Sequence, residues 1–228
     1  MTAFFRIASL SLLMTFSGML SAAMIVERTV LHYQPGSPSR QDVEIRNPDE
    51  DTLYIQVDIY EVINPGSEDE ERRLVTNPRD ANFLVTPNRL AIPPGGRKLV
   101  RLVNLQELGE KERIFRVSLK PVIEDVESEQ TAIKVLVGYQ LLVLIQPAQP
   151  SPELTASREG NVLTLTNNGN TNILLHRGQQ CAENDPGVCV DLPVRRLYPG
   201  NVWQIELEMD TPVQFVRTVG TNNQTVVY

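Results

Sequence analysis

The sequence predicts an all-β chain, and three observations carry the prediction. Most segments alternate apolar and polar residues with a period of two, and Pro, Gly, Asn and Asp bound them. Segments with a helical period are scarce. Residues 131–147, TAIKVLVGYQLLVLIQP, form a long, nearly unbroken strand signal that stops at a proline-rich stretch.

The chain opens on a secretory signal pattern. Arg6 leads an apolar run, and Ser21 and Ala23 are the small residues before a cleavage point ahead of Met24. Residues 1–23 are therefore expected to be removed. No later apolar run has the length of a membrane span, because the longest signal carries Lys134, Gly138 and Gln140. The mature chain is expected outside the cytoplasm and not inserted in a membrane. The net charge of −7 argues against a nucleic-acid partner. Two acidic runs, Glu68 to Glu71 and Glu124 to Glu129, read as solvated loops.

Strands are expected over residues 42–46, 53–62, 82–85, 98–103, 113–119 and 133–145. A second set covers 162–166, 172–176, 202–207 and 215–219. Between the sets lies QPAQPSP, where Pro147, Pro150 and Pro152 stop any ladder and favour a stiff connector. About 120 residues precede this hinge and about 80 follow it, each near the roughly 100 residues of an immunoglobulin-like sandwich. The domains are accordingly placed at 24–147 and 148–228. The halves share an order of events. VEIRNPDEDTLYIQV and LTLTNNGNTNILL each read strand, Asn-led turn, strand. Pro94-Gly95 and Pro199-Gly200 each mark a type II turn before an alternating strand.

The long strand is apolar on both sides. Ile133, Val135, Val137, Tyr139, Leu141, Val143 and Ile145 share one face, and Leu136, Leu142 and Leu144 lie on the other. A strand with one wet face does not look like this. It is either a central sandwich strand or a strand that offers alternate side chains to another protein. Cys181 and Cys189 read as a disulfide in an oxidising compartment. Closing so small a loop contributes about 2–3 kcal/mol, so it pins a loop rather than holding the fold. His32 and His176 are the only histidines, and neither has soft ligands nearby in sequence, so no metal or other cofactor is expected. No triad, paired-carboxylate or phosphate-loop pattern supports an enzyme. Trp203, Tyr54, Tyr60 and Phe83 read as core.

Several motifs then resemble one family. They are Phe83-Leu84-Val85-Thr86-Pro87 with Arg89-Leu90, Pro94-Gly95, Val100-Arg101-Leu102, Glu112 to Val117, and the long strand closing at Pro147. Asn167 to Asn170 and the cysteine pair follow in the second half. This ordered set resembles the periplasmic chaperones of the chaperone–usher pathway of fimbria assembly. The likeness is greatest to the alternate branch that serves class 5 fimbriae, which shares the Ile63-Asn64-Pro65-Gly66 run and the acidic stretch after it.

The resemblance implies two immunoglobulin-like sandwiches set at an angle, boomerang-fashion, with a cleft between them. It implies that the long strand completes a pilin or adhesin subunit that lacks its own last strand, until an outer-membrane usher exchanges it. The donor side chains would be Ile133, Val135 and Val137, with Tyr139 extending the row. Other members hold the client's terminal carboxylate with an arginine in the first strand and a lysine late in the long strand. Those positions are Val30 and Leu142 here. The branch resemblance instead points to Arg116, with Lys134 and Arg28 as further candidates. The other reading of Arg116 is a surface arginine paired with a carboxylate. An exposed apolar strand also makes a self-capped homo-oligomer plausible. The competing function is a secreted fimbrial structural or adhesive subunit. That reading expects an N-terminal donor extension, whereas after Ala23 the chain enters MIVERTVLHYQPG directly.

Overall fold

The computed structural model describes residues 24–122 and 136–228. These residues fold as strands and connecting turns into two β-sandwiches. The signal segment and residues 123–135, which include Ile133, Lys134, Val135 and the second acidic run, lie outside the described residues.

The first sandwich has ten strands: β1 (Ile25–Val26), β2 (Val30–Tyr33), β3 (Arg40–Arg46), β4 (Leu53–Ile63), β5 (Glu71–Leu74), β6 (Phe83–Thr86), β7 (Arg89–Ile92), β8 (Arg97–Asn104), β9 (Arg113–Val122) and β10 (Tyr139–Ile145). One sheet runs β1-β3-β8-β6. The other runs β2-β10-β9-β4-β5, and β7 shares the edge of β4 with β5. The core between them includes Leu141, Val143 and Ile145 of β10 and Phe115, Val117 and Leu119 of β9, all buried. Phe83 and Phe115 stack at 4.5 Å, and the Tyr33 hydroxyl donates to the Leu102 carbonyl at 2.9 Å.

The second sandwich contains β11 (Leu154–Glu159), β12 (Val162–Asn167), β13 (Ile173–Ala182), β14 (Asp185–Leu192), β15 (Arg195–Leu197), β16 (Val202–Glu206), β17 (Val213–Val219) and β18 (Asn222–Val227). Its sheets run β11-β12-β16 and β14-β13-β17-β18, with β15 on the edge of β13. Trp203 is partly buried and meets Phe215 edge to face at 5.9 Å. Cys181 and Cys189 stand opposite each other on β13 and β14 and are disulfide-bonded.

The expected strand over 133–145 is shorter where it can be followed. Residues 136–138 are outside the ladder, and β10 starts at Tyr139. A partner strand decides this. β9 pairs with β10 only from Tyr139 onward, and β2 joins only at Leu142–Ile145. Several strands escaped the period-two criterion. β5 is exposed at all four residues, β14 contains Pro186 and Gly187, and β18 is mostly polar. These are edge strands, where burial imposes no alternation.

The repeated plan of the two halves is physical. Asn47 and Asn167 are both buried. Asn47 Nδ2 donates to the carbonyls of Asp51 and Ile92 at 2.7 and 2.9 Å. Asn167 Nδ2 donates to those of Thr171 and Leu197 at 2.9 Å each. Each side-chain oxygen accepts the amide two residues on, from Asp49 and from Gly169. This is an Asx turn whose amide also ties the corner to the turn after β7 or β15. Those turns hold Gly95 at φ 63° and Gly200 at φ 83°, the left-handed values a type II turn requires of its third residue. Replacing Asn167 by Ala leaves two buried carbonyls short of a donor, and is expected to cost about 2–4 kcal/mol. Urea unfolding followed by fluorescence of Trp203, the sole tryptophan, measures it. A loss below about 1 kcal/mol would show that the corner holds without the side chain.

Candidate functional site

Cross-strand register builds the site. Phe115, Val117 and Leu119 turn into the core, so Ile114, Arg116 and Ser118 of β9 face the other way. Three rows cross this outer face. The row nearest the second sandwich reads His32, Leu144, Ile114, Val62, Arg72. The next reads Val30, Leu142, Arg116, Tyr60, Leu74, and beyond it come Gln140, Ser118 and Asp58. Val30 and Leu142, where a carboxylate anchor is missing, thus share one row with Arg116. The positive charge stands on the strand beside Leu142.

The two-sided apolar character of β10 gains a specific explanation. Leu142 and Leu144 close a small buried cluster with Val62, Ile114 and Tyr198 of the second sandwich. Their face belongs to the contact between sandwiches and not to a client, contrary to the expectation of one face for each. The other row changes role along the strand instead. Leu141, Val143 and Ile145 are core, Tyr139 is partly buried against that core, and Val137 is 49% exposed. Position along the strand, rather than face, separates core from free side chains. Tyr60 is also not core. It lies on the outer face with the Lys120 ammonium 5.7 Å from its ring.

Arg116 is partly buried, with Nε enclosed and without a hydrogen-bond partner. Among the described residues no ion pair joins it to a carboxylate, so it is not the neutralised surface arginine of the alternative reading. An unpaired guanidinium at the mouth of a cleft suits a carboxylate from outside. Arg28 is elsewhere: its Nη2 donates to the Asp42 carbonyl of β3, in the opposite sheet, at 2.7 Å. The structure does not bring it to Arg116.

The second sandwich contributes residues that sequence reasoning missed. Tyr198 sits in the Leu-Tyr-Pro-Gly turn, so the turn was legible but its docking against β9 and β10 was not. Beside it, Glu112 Oε1 accepts from Thr171 Oγ1 at 3.1 Å and from Asn172 Nδ2, while Arg196 Nη1 donates to Asn172 Oδ1. Gln146 Nε2 donates to Thr171 Oγ1 at 3.3 Å, extending the polar contact across the hinge. Burial pushes the Glu112 carboxyl up to about 7, against the pull of its hydrogen bonds and of Arg196. Burial also lowers His32, assisted by the charge of Arg196. Glu70 is held below the ordinary carboxylate range, first by the Gly66 amide and then by Arg72 and Arg116. It is therefore more than part of a solvated acidic run.

Two sandwiches that meet at a buried tyrosine, with an arginine open in the cleft and a strand losing its partners beside it, define a protein that binds another chain rather than a catalyst. Residues 23–151 match the pili and flagellar-assembly chaperone family at its PapD N-terminal domain, and the chain belongs to that family. It is a chaperone of this kind and not an enzyme, and the reading as a structural or adhesive fimbrial component falls away. The chain is 27% identical over 173 residues to a CS1 fimbrial protein of Escherichia coli, covering 72% of each. Its fold is similar to that of the class 5 fimbriae chaperone CfaA, with TM-score 0.66, 22% identity, and 90% and 97% of the two chains covered. It is also similar to a chain in the Salmonella enterica complex of SafA pilin with the SafB chaperone, with TM-score 0.65, 14% identity, and 91% and 96% covered.

The sign of the Glu112 effect is fixed by its raised value. Between pH 4.5 and about 7 the folded chain keeps a proton that the unfolded chain has released. Stability is therefore greatest below pH 4.5 with respect to this group and falls as pH rises through 7, by up to about 3 kcal/mol. Glu112→Gln is expected to flatten that part of the profile, measured by urea unfolding at about pH 5 and about pH 8. An unchanged slope would place the pH dependence elsewhere.

Proposed function

We propose that this chaperone works in the periplasm, where it binds pilin or adhesin subunits by donating the strand that ends in β10 and delivers them to an outer-membrane usher. The observation that carries the reading is the position of Arg116: it lies in the cleft, unpaired, one strand from a β10 whose leading end is free. The SafA–SafB complex, which joins a pilin to a chaperone, supports a pilin as the partner. Domain limits at 24–147 and 148–228, after a signal at 1–23, fit this working unit.

In this reading Ile133, Val135 and Val137 enter an apolar groove of the client, and Tyr139 marks the junction between donated strand and private core. Burying three aliphatic side chains contributes about 5–8 kcal/mol before ordering costs. That magnitude protects a client yet leaves it exchangeable. Arg116 receives the client's terminal carboxylate as the charged partner its guanidinium lacks. Lys134 adds positive charge near the start of the donor segment. With no client, a second copy can cover the same strand.

Co-expression with a fimbrial pilin and pull-down on a C-terminal tag tests the reading. Replacing Val135 and Val137 by Asp is expected to abolish capture while leaving the thermal transition in place. Full capture by that variant would refute donation through these residues. Arg116→Gln is expected to weaken the complex about tenfold to a hundredfold, as loss of a charge-assisted hydrogen bond would. Unchanged affinity would remove Arg116 as the anchor.

A further inference from the structure

Arg72 has no part in strand donation as described above, yet its side chain crosses the site. On β5 it stands in the row of Val62 and Ile114. Its Nη1 approaches Gln140 Oε1 at 3.5 Å. Gln140 is on β10, three strands away, and belongs to the row of Ser118. The row of Arg116 and Leu142 lies between the two. A side chain running diagonally from the first row to the third must pass over the second, so the Arg72 guanidinium lies across the sheet face at the level of Arg116.

Arg72 is also occupied. Its Nε meets Glu70 Oε1 at 3.3 Å. Glu70 Oε2 is fixed in turn by the Gly66 amide at 2.9 Å. Glu70 thus supplies a carboxylate, aimed by a backbone donor, beside two arginines. We propose that Arg72 is a second cationic contact for the carboxylate of the incoming chain, and that Glu70 is an internal stand-in displaced when that carboxylate arrives. This rests on the reading of Arg116 as anchor and deepens it. Two guanidiniums bracket the site from adjacent rows, one fixed in β9 and one on the exposed edge strand, where its long stem is free to swing. A competing internal carboxylate lowers affinity for neutral or misplaced chain ends and for the true end alike, and it gives the site a neutral resting state.

The test uses the full chain and a synthetic peptide copying the last strand of a co-expressed fimbrial pilin, once with a free carboxylate and once with a terminal amide. Dissociation constants come from fluorescence anisotropy. Arg72→Gln is expected to weaken the acid peptide about five- to thirtyfold and leave the amide unchanged. Glu70→Gln is expected to tighten the acid peptide. Equal effects of Arg72→Gln on acid and amide, or weaker binding by Glu70→Gln, would overturn the proposal. Arg116→Gln separates the two ideas. If it discriminates acid from amide and Arg72→Gln does not, the anchor stands and the second contact is wrong. If Arg116→Gln does not discriminate them, the anchor itself is wrong.

Discussion

The cleft depends on how many hydrogen-bonded neighbours β10 has at each point along its length. From Leu142 to Ile145 it has two, β2 and β9. From Tyr139 to Leu141 it has only β9, and residues 136–138 are in no ladder. Two neighbours fix the register, and register sets which side chains share a row. Arg116 lies opposite Leu142 for that reason, and Leu141, Val143 and Ile145 are committed to the core. With one neighbour or none, the same alternation continues without the same commitment. Gly138 marks the change, since a Cβ there would stand 3.0 Å from the Leu119 carbonyl.

The second sandwich closes what the first leaves open. Tyr198 covers Leu142, Leu144, Ile114 and Val62, and it gets there because it precedes a tight Pro-Gly turn tied to the Asn167 corner. The same corner in the first sandwich ends in Ile92 and Pro93, which face their own sheet contacts. One local motif, used twice, holds a turn in the first domain and presents a side chain to the interface in the second. Around Tyr198 the contact is polar: Glu112, Thr171, Asn172, Arg196 and Gln146 satisfy one another's hydrogen bonds. Such networks fix geometry more than they add net stability.

The all-β class, the hinge and the long strand were legible because alternation and proline are local signals. So was the outward placement of Arg116, which follows from Phe115 and Val117 pointing in. Edge strands such as β5 and β18 were not, because no burial pattern marks a strand with one neighbour. Tyr198, Arg196, Glu70 and Arg72 were missed for a different reason. Their roles arise from contacts between segments far apart in sequence, which period and spacing do not encode. The assignment of both faces of the long strand failed similarly: Leu142 and Leu144 look like client-binding residues until the second sandwich is in place.

The loop after β4 touches both halves of the molecule. Asn201 Nδ2 donates to the Pro65 carbonyl at 3.1 Å, and a Cβ on Gly66 would collide with Asn201 Oδ1. The next amide, that of Gly66, holds Glu70. A change in the angle between the sandwiches would pull on Pro65, shift that amide and alter the charge presented beside Arg116. The loop is in this sense a mechanical transmission, converting a rigid-body rotation at one end of the molecule into an electrostatic signal in the cleft.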